Sequence, residues 1–500
     1  IGYKQNYTIL DREDSRHLLS LCLRDRKLIG KQYPKPDVLL DIWAQSLNSN
    51  ASIEEMIGER KESFGISIDE IERIFTDYAE RKKKDNCMDF DDLLVNGLYL
   101  LKKFPDVRNF YGNKFLHILV DEYQDTNPLQ AELVDLLASV NRNILVVGDD
   151  FQSIYSWRGA EYKNIMSFPK RYPDARIIKL ETNYRSVPEV LTVANACIEH
   201  NKNQFQKHLR AVRETYRKPS IVLLSDGKAQ AHFVINLVNS MLMEGYEASE
   251  IAVLYRAHFH SMHLQLALTK SRIPYFVSSG PRFFEQAHIK DVMTIPRLIA
   301  NEQDRSAFMR LVMLFEGIGQ RTAEKMWEVM DNRFVLADGK YRNVVTEKLR
   351  DTARQAWNSI TNNVPLEMKC GKDAAVLIEN FLNVFYKKYA DNTFEDADRR
   401  IDDIYELISY AQQFETMEAF LSDTALVTNL DAEEEYHYAK RSSVRLSTVH
   451  QAKGLEWRAV IVLWMVEGMF PSSRSIEEAQ NDEEERRLFY VAVTRAKEEL

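Results

Sequence analysis

The first hundred residues carry apolar side chains at intervals of three or four positions. One representative stretch has them at Ile68, Ile71, Ile74, Phe75 and Tyr78. This spacing lines one face of an α-helix with apolar groups, so the segment from Asp11 to Lys103 is predicted to be mostly helical. The cationic run 81–84 closes one of these helices, and we interpret it as a solvated helix end that the helix dipole favours.

Short, mainly apolar runs of a second kind begin further along the chain. They occupy residues 115–120, 143–147, 176–180, 220–224, 251–255, 274–277, 444–449 and 459–463. Continuous runs of this length are typical of buried parallel strands. Helical patterns lie between them, and polar residues that begin at Asp121, Gly148 and Glu181 follow the first three runs. The alternation predicts an α/β fold whose ligands bind at the carboxyl edge of each parallel sheet.

The stretch between residues 277 and 444 is helical in pattern and rich in charge. A helical domain inserted into a second α/β domain is the simplest explanation of this interruption. A chain of 500 residues also exceeds what a single hydrophobic core normally serves, so several domains are expected.

Composition and charge narrow the class of protein. Hydrophobic residues make up 45% of the chain and charged residues 28%, as in ordinary globular proteins. A net charge of −9 opposes a bulk electrostatic attraction to nucleic acid, so any nucleic-acid surface must be local. The four cysteines lack zinc-ligand spacing. No run has the length of a membrane span and no signal peptide opens the chain, so a cytoplasmic protein is expected.

Candidate chemistry begins with the acidic pair Asp121-Glu122 at the end of the first apolar run. In a Walker B arrangement the first carboxylate holds Mg²⁺, and the second orients or deprotonates an attacking water. A strand-end turn or a helix cap explains an acidic pair in this position equally well. This segment alone leaves both interpretations open.

Several further segments favour the Walker B interpretation of the acidic pair, because they occur together and in order. They are 148–160 (GDDFQSIYSWRGA), 182–186 (TNYRS), 447–457 (STVHQAKGLEW) and 483–497 (EEERRLFYVAVTRAK). With Asp121-Glu122 they resemble motifs II to VI of superfamily 1 helicases, and their sequences are most similar to those of the UvrD/PcrA/Rep family. Segments 88–94, 252–256 and 467–471 also resemble that family. The resemblance covers nearly the whole chain and is thinnest from residue 329 to residue 439.

The resemblance implies an α/β protein with two RecA-like parallel-sheet motor domains, the first of them incomplete. Each motor domain is expected to carry a mostly helical inserted domain. Residues 1–86 are expected to be part of the first insertion, and residues 87–180 the first motor domain. The second motor domain is expected at residues 181–284 and 441–500, with its insertion at residues 285–440.

The resemblance also implies a site for ATP and Mg²⁺. Asp121 resembles the Mg²⁺ ligand and Glu122 the carboxylate that activates water. Gln152 resembles the residue that senses the γ-phosphate and reports it to the DNA side.

Other residues of the nucleotide site are implied by the later motifs. Arg185 and Arg495 resemble two arginine fingers, whose planar guanidinium groups suit the spread charge of a phosphoryl transition state. Tyr184 resembles the aromatic residue that stacks on adenine. Glu456 resembles the residue near the ribose, and Gly454 is expected to lie beside the nucleotide as well. An ordinary surface salt bridge is the alternative for either arginine.

A binding surface for single-stranded DNA is implied around Tyr155 and Trp157, which flank a polar turn. Aromatic faces stack on successive bases, and each stacked base contributes about 1–3 kcal/mol. Arg158 follows Trp157 directly, and His450 resembles a second DNA contact. Burial of Trp157 in the core is the alternative.

The sequence Gly317-Ile318-Gly319 resembles the family's hairpin between two helices of the inserted domain. Glycines at such a position let backbone N–H groups approach a duplex phosphate at a helix N-terminus. A plain turn between two helices is the alternative.

One feature of the family is missing from these 500 residues, the phosphate-binding loop Gly-x-x-x-x-Gly-Lys-Ser/Thr. Gly-Lys occurs at residues 30–31, 227–228, 339–340 and 371–372, and neither Ser nor Thr follows in any of the four. The chain is therefore expected to be a fragment without the N-terminal phosphate-binding region and the extreme C-terminus. As it stands, it is expected to be unable to hydrolyse ATP.

The function expected of the intact protein is that of an ATP-dependent 3′–5′ DNA helicase in the bacterial cytoplasm. It would move on single-stranded DNA and act at junctions between single and double strands. One alternative is the helicase portion of an AddA/RecB-like helicase–nuclease. Another is a non-catalytic DNA-binding relative; the missing loop favours it, whereas the intact acidic and arginine residues oppose it.

Overall fold

A computed structural model supplies the architecture of the chain. It describes residues 1–4, 6–28, 30, 33–49, 51–58, 63–155, 162–278, 283–362, 371–428, 442–473, 475–476 and 482–500. Packing divides the described residues into two units. Unit 1 comprises residues within 1–96 and 283–428, and unit 2 comprises residues within 97–282 and 429–500.

Helices dominate the first part of unit 1, as predicted. The elements are β1 (Thr8–Ile9), α1 (Arg12–Asp25), α2 (Pro36–Ser49), α3 (Ile53–Ile57), α4 (Ile68–Lys84) and β2 (Cys87–Met88). β1 and β2 pair in parallel. Asp11, Ser52 and Ser67 begin α1, α3 and α4, because their side chains accept hydrogen bonds from backbone N–H groups of the first turn. The apolar faces of these helices share one core.

The predicted alternation of helices and strands follows. The elements are α5 (Phe90–Lys103), α6 (Pro105–Lys114), β3 (Ile118–Val120), α7 (Pro128–Ala138), β4 (Ile144–Val146), α8 (Lys163–Arg171), β5 (Thr182–Asn183), α9 (Pro188–Ile198), β6 (Arg210–Ala211), α10 (Gly227–Met243), β7 (Ile251–Tyr255), α11 (Met262–Lys270) and β8 (Tyr275–Val277). β3 pairs in parallel with β4, and β5 with β6. Short 3₁₀ helices at Tyr123–Asp125 and Asp150–Gln152 follow β3 and β4 and bring polar side chains to their carboxyl ends.

The second part of unit 1 consists of helices joined by turns and short irregular segments among its described residues. The helices are α12 (Ala287–Val292), α13 (Thr294–Ala300), α14 (Arg305–Met313), α15 (Gln320–Val329), α16 (Gly339–Thr346), α17 (Asp351–Asn362), α18 (Gly371–Phe381), α19 (Lys387–Thr393), α20 (Ala397–Ala411) and α21 (Met417–Thr428). A π-helical turn at Leu382–Tyr386 joins α18 to α19. None of the helices in the described part of the chain is both long and apolar enough to cross a membrane.

A five-stranded parallel sheet is the centre of unit 2. Its last elements are β9 (Val444–Thr448), α22 (Val449–Ala452), β10 (Trp457–Val462), α23 (Glu483–Val493) and β11 (Ala496–Glu499). The strand order is β11-β10-β7-β9-β8. Side chains of β7 alternate between two cores, with Ala252 and Leu254 in one and Val253 and Tyr255 in the other. The predicted α/β class with parallel sheets is confirmed.

Two of the predicted strands, at residues 176–180 and 220–224, are wrong. Both segments lack regular structure, and no strand in the described part of the chain pairs with them. Ser220 donates its N–H to the carbonyl of Leu500 at 3.0 Å, but Ile221 and Leu223 are each 93% exposed. An apolar run signals a tendency toward burial, but a strand also needs a neighbouring backbone to pair with.

The interpretation of Lys82 as part of a solvated helix end is also wrong. Its side chain is buried, whereas Lys83 and Lys84 beside it are exposed. The Lys82 ammonium lies 2.5 Å from an Asp89 oxygen and 2.7 Å from an Asp92 oxygen. The cationic run hid this position, because a helix turns one residue of four consecutive ones toward the core.

Candidate functional site

The acidic pair lies in a sharp turn at the carboxyl end of β3. Glu122 has a left-handed backbone conformation (φ 49°, ψ 40°), which is uncommon for residues other than glycine. Its N–H donates to Asp121 Oδ1 at 2.8 Å, and Gln124 Nε2 donates to Glu122 Oε2 at 2.5 Å. Both carboxylates are exposed. Backbone strain of this kind concentrates at functional sites.

Buried Gln124 ties the end of β3 to the end of β4. Its Oε1 accepts the N–H of Asp149 at 2.9 Å. The approach is close, since a Cβ on Gly148 would lie 2.5 Å from Gln124 Oε1. Gln152 in turn donates from Nε2 to Asp149 Oδ2 at 2.7 Å. The predicted acidic pair and the predicted phosphate sensor therefore belong to one polar edge.

Lys207 contributes to this edge, although no motif predicted it. Its ammonium contacts Asp149, lies 2.8 Å from Asp150 Oδ1 and 3.9 Å from the centre of the Phe151 ring. Burial alone lowers the pKa of Lys207, but the two aspartates outweigh it and raise the pKa above its usual value. No spacing rule links a lysine to carboxylates so distant in sequence, so only the structure reveals this contact.

Arg185 and Glu456, predicted from separate motifs, form an ion pair. Lys497 also contacts Glu456, with its ammonium 2.8 Å from Oε1. These bonds, first the one from Lys497 and then the one from Arg185, lower the pKa of Glu456. Arg185 thus forms a partly exposed salt bridge, which was the alternative interpretation of this residue. Its partner, Glu456, is itself a predicted nucleotide contact.

Arg495 is in a different environment, because its side chain is buried in unit 2. Its guanidinium donates to the carbonyls of Leu455 and Val491 at 3.0 and 3.1 Å and to Gln152 Oε1 at 3.5 Å. Burial, and then the nearby Arg185, lower the pKa of Arg495 to about 10. Within the described residues no carboxylate forms an ion pair with it. A surface salt bridge therefore does not explain Arg495, and a buried cation without a carboxylate favours an anionic ligand.

Lys453 joins the acidic edge to the turn after α22. The residue lies within the segment 447–457, but no role was predicted for it. Its ammonium donates to Asp125 Oδ2 at 2.5 Å and to the carbonyl of Gln152 at 2.9 Å, and it lies 3.9 Å from Glu122 Oε2. Lys453 thus contacts both the acidic side chains that follow β3 and the main chain that follows β4.

Two of the predicted DNA contacts lie side by side. The Tyr155 hydroxyl donates to the carbonyl of His450 at 2.9 Å, and the two ring centres are 6.4 Å apart. Both side chains are half-buried. Trp157 and Arg158 lie outside the described residues.

The remaining predicted residues occupy exposed or turning positions. Tyr184 is 76% exposed, so much of its aromatic ring is accessible to solvent. Gly454 has a φ of +84°, which an ordinary side chain rarely adopts. Gly317, with a φ of +86°, and Gly319, which begins α15, belong to unit 1, whereas all the site residues above belong to unit 2.

Comparison with known proteins identifies the family. Residues 1–173 match the family model described as the UvrD/REP helicase N-terminal domain. Residues 178–500 match the model described as the UvrD-like helicase C-terminal domain. The chain belongs to the UvrD-like helicase family. The two matches together span almost all of the sequence, and the resemblance drawn from the motifs is confirmed.

Relatives of this UvrD-like chain include well-known helicases. It is 33% identical over 525 residues to the ATP-dependent DNA helicase PcrA of Bacillus subtilis (strain 168), covering 100% of this chain and 69% of the relative. It is 34% identical over 518 residues to DNA helicase II of Escherichia coli (strain K12), covering 99% of this chain and 70% of that protein. PcrA of Staphylococcus aureus (strain NCTC 8325) is 31% identical over 519 residues, covering 100% and 69%.

The donor set of the site fits a nucleotide polyphosphate in part. Arg495 is a buried cation, and Arg185 is a partly exposed one that pairs with Glu456. Asp121 and Glu122 present exposed carboxylates of the kind that hold a hydrated cation and orient water. The cradle of backbone N–H groups that a phosphate-binding loop supplies has no sequence match among the 500 residues.

Proposed function

We propose that the protein is an ATP-dependent DNA helicase that moves 3′ to 5′ on single-stranded DNA and unwinds duplex at junctions. The observation that supports this most directly is the position of buried Arg495 beside Gln152, at the edge that carries Asp121 and Glu122. This arrangement combines a cation for a phosphoryl group with carboxylates for a metal and a water. Family membership supports helicase action, and the direction of movement is proposed from the resemblance.

Each part of the nucleotide site has a proposed role. Asp121 would hold Mg²⁺, which when bound would neutralise charge on the phosphates, and Glu122 would take a proton from the attacking water. Gln152 senses the γ-phosphate. Arg495 and Arg185 stabilise the charge of the transition state.

Binding of the adenosine part is proposed for three further residues. The exposed ring of Tyr184 stacks on adenine. Glu456 lies by the ribose, and the turn at Gly454 lets the backbone pass close to the ligand. In this arrangement the Arg185 guanidinium must leave the carboxylate of Glu456 and bind a phosphate group of the nucleotide instead.

Single-stranded DNA is proposed to bind on Tyr155 and His450, with Trp157 and Arg158 as neighbours in the sequence. Aromatic rings stack on bases without regard to sequence, which suits a translocating enzyme. The Gly317-Ile318-Gly319 turn is proposed to approach duplex phosphates through backbone N–H groups. We place the protein with DNA in the bacterial cytoplasm.

The domain assignment is likewise a proposal. Residues 87–180 form the first RecA-like motor domain, and residues 181–284 with 441–500 form the second. Residues 1–86 and 285–440 are the helical insertions. The division into two units supports this grouping, because the two proposed motor domains lie in unit 2 and the two insertions in unit 1, apart from residues 87–96, 283–284 and 429–440.

We also propose that residues 1–500, purified by themselves, hydrolyse little or no ATP. The contacts from Arg185, Arg495, Gln152 and Tyr184 act on a nucleotide that other groups must first hold. Backbone N–H groups and the lysine of a phosphate-binding loop normally provide that hold.

The test of the proposed function is Glu122→Gln in the native protein as its own organism produces it. Loss of the general base should lower DNA-stimulated ATP hydrolysis by about 10²–10⁴-fold and leave nucleotide binding largely intact. Exposed Glu199→Gln, at the end of α9, is the matched control. Near-normal turnover by Glu122→Gln contradicts the proposal. Unwinding of duplexes with a 3′ tail but not a 5′ tail tests the direction.

A further inference from the structure

The ammonium of Lys453 lies close to residues of the proposed nucleotide site and to an aromatic residue of the proposed DNA site. It holds the side chain of Asp125 and the carbonyl of Gln152 at 2.5 and 2.9 Å. It also lies 3.9 Å from Glu122 and 5.0 Å from the centre of the Tyr155 ring. In the proposed assignment, Lys453 comes from the second motor domain and all four partners come from the first. The proposed function gives this convergence no role.

The contact is well shielded from solvent, which strengthens the electrostatic attraction between Lys453 and Asp125. The Lys453 side chain is 9% exposed, and Asp125 is half-buried. One oxygen of Asp125 bonds Lys453, and the other is buried without a hydrogen-bond partner among the described residues. A lysine has three donors on one compact charge, and here they are directed to a carboxylate and a main-chain carbonyl together.

The lysine is also placed to report on the DNA side. It follows α22 (Val449–Ala452), which carries His450, and precedes the turn at Gly454. The Tyr155 hydroxyl bonds the carbonyl of His450 at 2.9 Å. Lys453 thus lies between the main chain at Gln152 and the helix whose His450 carbonyl is bonded by Tyr155.

We propose that Lys453 is a positioning residue that couples the γ-phosphate sensor to the DNA-binding aromatics. It holds the acidic turn and the loop after β4 against the turn after α22, so that occupation of the DNA side sets the position of Glu122 and Gln152. Because coupling between two sites is reciprocal for binding, nucleotide also changes DNA affinity through the same contact. This inference rests on the proposed function.

The experiment measures ATP hydrolysis by the native protein with and without single-stranded oligonucleotide. Lys453→Met keeps the length of the side chain and removes its charge, and Asp125→Asn removes the partner's charge. Both variants should lower the ratio of DNA-stimulated to DNA-free hydrolysis by about tenfold, within the usual range of coupling between sites. The KM for ATP should stay within about twofold of the parent, because the proposed function assigns Lys453 no contact with the nucleotide.

Controls separate positioning from a merely structural contribution. Lys453→Arg should restore at least part of the ratio, because it keeps a cation near Asp125. Exposed Lys170→Ala, in the last turn of α8, should leave the ratio unchanged. A merely structural role would lower both rates together, leave their ratio unaltered and shift the thermal unfolding midpoint.

The outcomes are distinct. An unchanged ratio in both Lys453→Met and Asp125→Asn overturns the coupling role, and so does a loss of both rates in parallel. Glu122→Gln is measured beside them: if it retains full turnover, the proposed function fails, whereas its inactivity with normal coupling in Lys453→Met rejects this inference alone.

Discussion

Replacement of Lys82 by methionine is expected to destabilise unit 1 strongly. Lys82 is buried at the end of α4 and contacts Asp89 and Asp92, which cap the first turn of α5. The Tyr78 hydroxyl adds a hydrogen bond to Asp89 at 2.9 Å, and the Tyr78 ring lies 4.2 Å from the ammonium. Methionine has a similar length but no charge, so the variant keeps the packing and leaves two carboxylates without a cation.

The magnitude follows from the burial of the pair. Removing one partner of a buried ion pair typically destabilises a protein by about 3–5 kcal/mol, since the remaining charge stays buried and unpaired. The range applies here because the Lys82 side chain is 1% exposed, and those of Asp89 and Asp92 are 10% and 16% exposed. With a urea dependence of about 2 kcal/mol per molar, the midpoint of unit 1 should fall by about 2 M.

The variant should also respond to pH in a defined direction. Burial raises the pKa of Asp92, and Lys82 opposes that rise. Without Lys82 the carboxyl favours its neutral form more strongly in the folded state. A group whose folded-state pKa is raised stabilises the fold at low pH and loses that contribution as the pH rises through the pKa. Lys82→Met should therefore recover part of its lost stability on mild acidification.

Urea unfolding and hydrogen exchange of peptides covering residues 68–94 measure the effect. Lys84→Ala is the control, because Lys84 is exposed on the same helix end. Combining Lys82→Met with Asp89→Asn and Asp92→Asn should restore most of the stability, since neither carboxylate that Lys82 contacts is then charged. A loss below about 1 kcal/mol in Lys82→Met, or equal losses in Lys84→Ala, would refute the reasoning.

Two further predictions concern unit 1 and the isolated chain. Burial, and then Asp403 and Asp402, raise the pKa of Glu406 to about 7, so its contribution to stability is lost as the pH rises through about 7. Glu406→Gln should remove on the order of 1–2 kcal/mol of this pH dependence in urea titrations, after allowance for solvent screening. Residues 1–500 alone should hydrolyse ATP no faster than their Glu122→Gln variant in a coupled assay with Bacillus subtilis PcrA as the positive control; turnover comparable to PcrA would contradict this.

Much of the fold was predictable because periodicity reports burial directly. The helical pattern around Ile71 and Phe75 and the apolar run of β7 are both confirmed. Pairing was less predictable: residues 176–180 and 220–224 have strand-like composition, but nothing in their own sequence specifies a neighbouring strand. The burial of Lys82 was not predictable from charge, because its partners follow only after the helix has ended.

The candidate site was predictable where motifs are contiguous and obscure where contacts are distant. Asp121 and Glu122 were predicted from a strand end and Gln152 from the resemblance, and the structure brings all three to one polar edge. The positions of Lys207 and Lys453 at this edge were not predicted, because they depend on contacts with carboxylates far away in the chain. Motif spacing identifies what is adjacent in sequence, whereas the ion pairs that join one motif to another exist only after folding.

These ion pairs make the two arginines of the proposed site unequal. Arg185 already bonds Glu456, and both side chains are partly exposed, so exchanging the carboxylate for phosphate involves a pair worth about 0–1 kcal/mol. Arg495 is buried, bonds carbonyl and amide oxygens, and has no carboxylate to release among the described residues. A phosphoryl group near Arg495 would interact with a cation that is poorly solvated and has no carboxylate partner among the described residues. A phosphoryl group near Arg185 would have to displace the carboxylate of Glu456. Under the proposed function, the larger share of electrostatic stabilisation therefore falls to Arg495, and Arg185 adjusts to the nucleotide after it has bound.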